Sequence, residues 1–122
     1  MVSTNFKIMN TLKNKVQLIG NLGNAPELRT TKTGKKYARF SIATNEEYKN
    51  ANGEKVKETQ WHSLIAWGGL AEYVEKNLSK GNEVAIDGKL IHYNYVDKDG
   101  NKKYTTEVHV NELLRIGSKP TA

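Results

Sequence analysis

A chain of 122 residues, 37% hydrophobic and 26% charged, can bury one core unaided, and it holds no cysteine. That excludes a disulfide scaffold, thiol catalysis and the usual structural zinc sites, and no apolar run approaches the ~18 residues a membrane helix needs. The net charge of +6 is uneven: residues 1–40 carry eight Lys/Arg against Glu27 alone, residues 41–80 five against six acids, and residues 81–122 six against six, so the basic first third points to a polyanion.

Residues 1–12 are polar and patternless and read as a loose extension. They also lack the apolar core of a signal peptide. From Lys15 to Leu22, the apolar Val16, Leu18 and Ile19 predict a strand. Gly20, Gly23 and Pro26 break and redirect it, and Glu27 to Thr30 reads as a short continuation. After a turn at Lys32-Thr33-Gly34-Lys35, Tyr37 to Thr44 alternates, with Ala38, Phe40 and Ile42 on one face and Tyr37, Arg39 and Ser41 on the other. Asn50-Ala51-Asn52-Gly53 marks a long hairpin loop, and Glu58 to Trp67 is the next strand.

Gly68-Gly69 ends that strand. Leu70, Ala71, Val74 and Leu78 then follow helical spacing, with Glu72, Glu75 and Lys76 outward and Gly81 where a C-cap glycine belongs, which predicts a helix of about ten residues. Glu83 to Tyr95 is a long strand with Val84, Ile86, Gly88 and Leu90 on one face. It turns at Asp97-Lys98-Asp99-Gly100-Asn101 into a strand from Tyr104 to Val110. Residues 117–122 form a short polar tail. The expected organisation is therefore one domain over residues 13–116: all-β with one helix, three strands, the helix, then two strands. That is the layout of an OB-fold, a five-stranded Greek-key barrel with a short helix between strands 3 and 4, whose usual ligands are oligonucleotides or oligosaccharides.

Trp61 and Trp67 lie six residues apart on a predicted strand, so period-two alternation puts both indoles on one face, with Ser63 and Ile65 between them. Tyr48, Tyr93, Tyr95 and Tyr104 add further rings in a basic protein. Aromatic faces set among positive charge suit stacking on unpaired bases. The competing reading is that both indoles are core residues of a sheet.

An ordered set of segments carries a family resemblance. They are Lys15-Val16-Gln17-Leu18-Ile19-Gly20-Asn21-Leu22-Gly23, Pro26-Glu27-Leu28-Arg29, Ala43-Thr44-Asn45-Glu46, Glu58-Thr59-Gln60-Trp61-His62, Trp67-Gly68-Gly69-Leu70-Ala71-Glu72, Lys80-Gly81 and Tyr104-Thr105-Thr106-Glu107-Val108. In this the chain resembles the bacterial single-stranded DNA-binding protein family. The resemblance implies an OB-fold subunit, usually a homotetramer, that wraps single-stranded DNA without sequence preference in replication, recombination and repair. It implies base stacking at Tyr48, Trp61, Trp67 and Tyr95, and phosphate contacts at Lys15, Arg29, Lys49 and Lys80. The chain departs from the family in Leu90-Ile91-His92-Tyr93-Asn94-Tyr95, where basic residues are replaced and Tyr93 is gained. Lys35, Lys36, Arg39 and Tyr93 are therefore further candidates, Lys32 with them. His62 faces away from the stacking surface, toward either a subunit contact or solvent.

The expected partners are single-stranded DNA and further copies of the chain, with no membrane partner, no cofactor and no metal; the expected place is the cytoplasm, on the nucleoid. Family members often end in an acidic tip that docks enzymes. Here no acid follows Glu112, so no tip-mediated protein partner is expected. Two alternatives remain: a dimeric primosomal accessory protein of the same OB family, and a nuclease. For the nuclease, Asp97/Asp99 and Glu46/Glu47 lack a third metal ligand or an accompanying histidine. Gly20-Asn21-Leu22-Gly23 matches the GxxG clamp of KH domains but follows a strand rather than joining helices. Asp97 to Gly100 lacks the spacing of a calcium loop, and His62, His92 and His109 lack metal-ligand spacing.

Overall fold

The computed structural model describes residues 13–116, so the expected N-terminal extension and polar tail lie outside the described residues. The chain runs β1 (Val16–Leu22), β2 (Glu27–Thr30), β3 (Lys36–Lys49), β4 (Lys55–Trp67), α1 (Gly69–Asn77), β5 (Glu83–Val96) and β6 (Lys102–Arg115). Hydrogen bonding joins β1-β5-β6-β4-β3, and β1 pairs again with β3 to close a five-strand ring. The closure is made by Asn21 opposite Ala43 and Leu22 opposite Ile42. A closed ring leaves few strand edges unpaired.

β2 explains how one strand redirects along another. It pairs with β3 from Glu27 opposite Arg39 to Thr30 opposite Lys36, continuing the edge that β1 leaves at Leu22. Between the two, Gly23 N–H donates to the Ser41 carbonyl, and Asn24 Oδ1 accepts from the Ser41 N–H and hydroxyl. The side chain of Asn24 thus supplies a ladder bond that the broken strand no longer makes.

Apolar residues of alternate positions meet inside the ring. Leu22, Ala38, Phe40, Ile42, Leu64, Val84, Ile86, Val108 and Val110 form the core, and α1 adds Ala71 and Val74 to it. Gly88 stands at the bulge between β5 and β6, where a Cβ would collide with the His109 carbonyl oxygen. Only a residue without a side chain allows that approach.

Three expectations need adjusting. The β3–β4 hairpin is longer than its apolar pattern indicated, because residues 45–49 and 55–57 keep a regular ladder with little burial, and β6 likewise runs past Val110 to Arg115 by pairing with β5. The helix ends at Asn77, not near Gly81. Its cap is Leu78 in extended conformation, with the Leu78 N–H donating to the Val74 carbonyl. Gly81, at φ +92°, belongs instead to the turn before β5 and donates its N–H to the Leu22 carbonyl. Ile65 is buried although it lies on the indole side of β4, covered by its neighbours on the outer surface.

Candidate nucleic-acid interface

Both indoles lie outside the core. Trp61 is 61% exposed and Trp67 37% exposed on the outward side of β4, which places them about 20 Å apart along the strand at ~3.4 Å per residue. Each has its own surroundings.

Trp61 lies over the break between β1 and β2. A Cβ on Gly23 would strike the outer edge of its six-membered ring, so the glycine makes room for the indole. Trp67 begins a row of rings. Tyr37, directly opposite on β3, sits with its centroid 5.4 Å away at 41°. On the other side, the His109 ring of β6 lies 6.3 Å from Trp67 at 54°, and the Tyr93 ring of β5 lies 6.2 Å beyond that at 38°. The Tyr93 hydroxyl and His109 Nε2 are 2.6 Å apart, which fixes the last two rings to each other. Ile65 lies beneath, opposite both Arg39 and His109. Tyr37, His109 and Tyr93 are each partly exposed.

Positive charge borders the row. Arg29 on β2 is opposite Tyr37 and is highly exposed. Its guanidinium is held by Glu27 at 2.8 Å, which raises its pKa above the ordinary arginine range. Lys35 and Lys36 share a groove with Trp67, Gly68 and Glu72. Lys36 Nζ donates to Glu72 Oε1 at 2.7 Å, and that contact lowers the Glu72 pKa. Arg39 stacks over Tyr37 at 5.4 Å. Its Nε donates to Glu107 Oε2 at 2.9 Å, so its charge compensates a carboxylate that is only 8% exposed. Of the added basic candidates, Arg39 is thus the one whose charge is already engaged by a buried partner.

The remaining expected residues are spread out. Tyr48 is 46% exposed but belongs, by alternation, to the opposite side of the β3–β4 ribbon from Trp61, since Ala43 faces Trp61 and Tyr48 faces Val56. Its hydroxyl donates to Glu58 at 3.1 Å, which raises the phenol pKa. Lys49 ends β3 near it, beside Lys55. Tyr95 is 53% exposed on the same side of β5 as Tyr93. Lys80 is exposed in the loop before β5, and Lys15 precedes β1 with its Nζ 3.6 Å from Asp87. His62 is half-buried, with Nε2 2.9 Å from the Thr44 hydroxyl.

Sequence reasoning missed Tyr37 and His109 as neighbours of Trp67. Tyr37 was legible on the polar side of its strand, and only the register Tyr37 opposite Trp67 makes it a partner. His109 needed the parallel pairing of β4 with β6, which joins strands far apart in sequence. His109 has its pKa lowered, first by burial and then by Lys89, with an upward pull from Glu107 and a lesser downward one from Arg39. Among the described residues no three His, Asp or Glu side chains gather where they could hold a metal ion, and no helix is long and apolar enough to cross a membrane.

The profile of the single-strand binding protein family matches residues 13–116, nearly the whole chain. The chain belongs to this family. Single-stranded DNA-binding protein 1 of Xylella fastidiosa (strain 9a5c) is 42% identical over 107 residues, covering 87% of this chain and 79% of the relative. The protein of the same name from Chlorobaculum tepidum is also 42% identical, with 66% of its length covered. The chain spans 59% of a third, the single-stranded DNA-binding protein of Xanthomonas axonopodis pv. citri, at 37% identity. Among solved structures, the Plasmodium falciparum SSB in complex with ssDNA superimposes with a TM-score of 0.78 at 29% identity, covering 85% of this chain and 95% of that one. A deletion mutant of the Thermus aquaticus single-stranded DNA binding protein superimposes at 0.76 and 25% identity, covering 87% of this chain and 51% of that one. The expected OB barrel and the expected family are both borne out.

Proposed function

We propose that this protein binds single-stranded DNA without sequence preference, in replication, recombination and repair, and performs no chemistry on it. The observation that carries this reading is the pair of outward-facing indoles of β4, both exposed on a barrel whose core is filled by other residues. Exposed flat rings offer every base the same π-face, and flanking cations neutralise phosphate and release counterions. The relatives described above are single-stranded DNA-binding proteins, and one structural neighbour is in complex with ssDNA. In this reading Trp61, Trp67, Tyr48 and Tyr95 stack on bases, while Lys15, Arg29, Lys49 and Lys80 meet phosphates. The protein acts in the cytoplasm, on the nucleoid.

The subunit self-associates in the same reading, as a homotetramer. Ile19, Ala85 and Leu114 stand in one row across β1, β5 and β6, and Ile19 and Leu114 are largely exposed. A second copy laid over this row would remove apolar surface from water.

The test of binding is a titration with oligothymidine followed by tryptophan fluorescence. The expected result is strong quenching by the single strand and little by duplex. Slight quenching by oligothymidine would overturn the stacking assignment.

A further inference from the structure

We propose that Tyr37 and His109 contact bases together with Trp67 and Tyr93, so that bound single-stranded DNA crosses β3, β4, β6 and β5 along the ring row. This rests on the single-strand-binding reading and adds a path to it. Four observations carry it. The rings are continuous, with centroid steps of 5.4, 6.3 and 6.2 Å. Each lies on a different, hydrogen-bonded strand, so main-chain pairing holds the row in place. The row is anchored, since Tyr93 and His109 bond to each other and Arg39 is braced between Tyr37 and Glu107. Its floor is apolar at Ile65, and the acids beside it are each paired with a cation, Glu107 with Arg39, Glu27 with Arg29 and Glu72 with Lys36, so no uncompensated negative charge opposes a polyanion there.

The interplanar angles of 38° to 54° decide the mode of contact. Rings so tilted do not form slots into which a base could intercalate. Each instead offers an oblique face, and a base stacked on one ring abuts the edge of the next, the offset arrangement aromatic pairs prefer. His109, seated between the Trp67 and Tyr93 rings and with its charged form disfavoured by burial and then by Lys89, serves here as a flat ring rather than as a cation.

The test has two arms on the full chain. First, oligothymidine carrying 5-iodouracil is bound to the unmodified protein, irradiated, and the adducts mapped by mass spectrometry. Adducts at Tyr37 or His109, besides those at Trp67 or Tyr93, are expected. Adducts that spare both Tyr37 and His109 would overturn the path.

Second, Tyr37→Leu and His109→Leu are compared with Tyr37→Phe and His109→Phe. The leucine variants should weaken oligothymidine binding roughly fivefold to a hundredfold each, and the phenylalanine variants should largely restore it. Binding to an abasic oligonucleotide should be unchanged in all four, a readout that general structural damage would not spare. Leucine variants that bind oligothymidine like the parent, or that lose base-containing and abasic strands alike, would overturn the proposal. If the parent protein bound no oligothymidine, the underlying functional reading would fall instead.

Discussion

Glu107 is an acid on a surface we propose a polyanion crosses, and Arg39 is what makes it tolerable there. The Glu107 side chain is only 8% exposed, whereas Arg39 is 58% exposed. Removing the arginine alone strands a nearly buried carboxylate. We expect Arg39→Leu to destabilise the fold by about 1–3 kcal/mol, and Arg39→Leu with Glu107→Leu to recover most of that, as read from urea denaturation. A single variant as stable as the parent would show that the pair contributes nothing. His109 gives a second prediction. Its folded-state pKa lies below the ordinary histidine value because burial and cationic neighbours disfavour the charged ring. The unfolded chain therefore binds the proton more readily. The stability tied to His109 is complete above the ordinary histidine pKa and is lost as pH falls from there through the folded value. His109→Phe should flatten the acid side of the stability–pH profile relative to the parent, and an unchanged profile would contradict this.

The break between β1 and β2 does two things: it closes the barrel on β3 and makes a seat for Trp61. Gly23→Ala should leave the barrel folded but push the indole off its seat. The expected outcome is a shifted tryptophan emission and weaker quenching by oligothymidine. Parent-like emission and quenching would show that the seat does not position the ring. The elements around this break were legible to different degrees. β3 and β4 were plain because Ala38, Phe40 and Ile42 alternate, and because the same alternation put Trp61 and Trp67 on one face. The hairpin tips were not, since residues 45–49 bury nothing and their pairing is a main-chain property that side-chain pattern does not report. The helix end was misplaced because Leu78 continues the apolar spacing after the chain has become extended. The ring row was hidden for a further reason. Trp67 and His109 meet through a parallel pairing between β4 and β6, with α1 and β5 intervening in sequence.

For the whole molecule, charge and assembly set the expectations. The net charge of +6 and the excess in residues 1–40 predict salt-sensitive binding. Plotted as log affinity against log salt, the slope should be about −0.7 per phosphate neutralised. A flat response would remove the basic surface from the binding mechanism. Sedimentation at micromolar concentration should give a tetramer, and Leu114→Lys should dissociate it. A particle of 13.7 kDa for the parent would defeat self-association, and a stable dimer would favour the primosomal alternative. The ring row has one more consequence. Successive outward residues along a single strand repeat about every 6.8 Å, whereas neighbouring strands repeat at ~4.8 Å. Tyr37 and Trp67 stand directly opposite, whereas His109 is opposite Ile65 and Tyr93 opposite Thr105, so the row runs obliquely across four strands and its spacing is set by register and side-chain reach together. A slip of register between any two of these strands would therefore break the row, while exchange of one ring for another would keep its course.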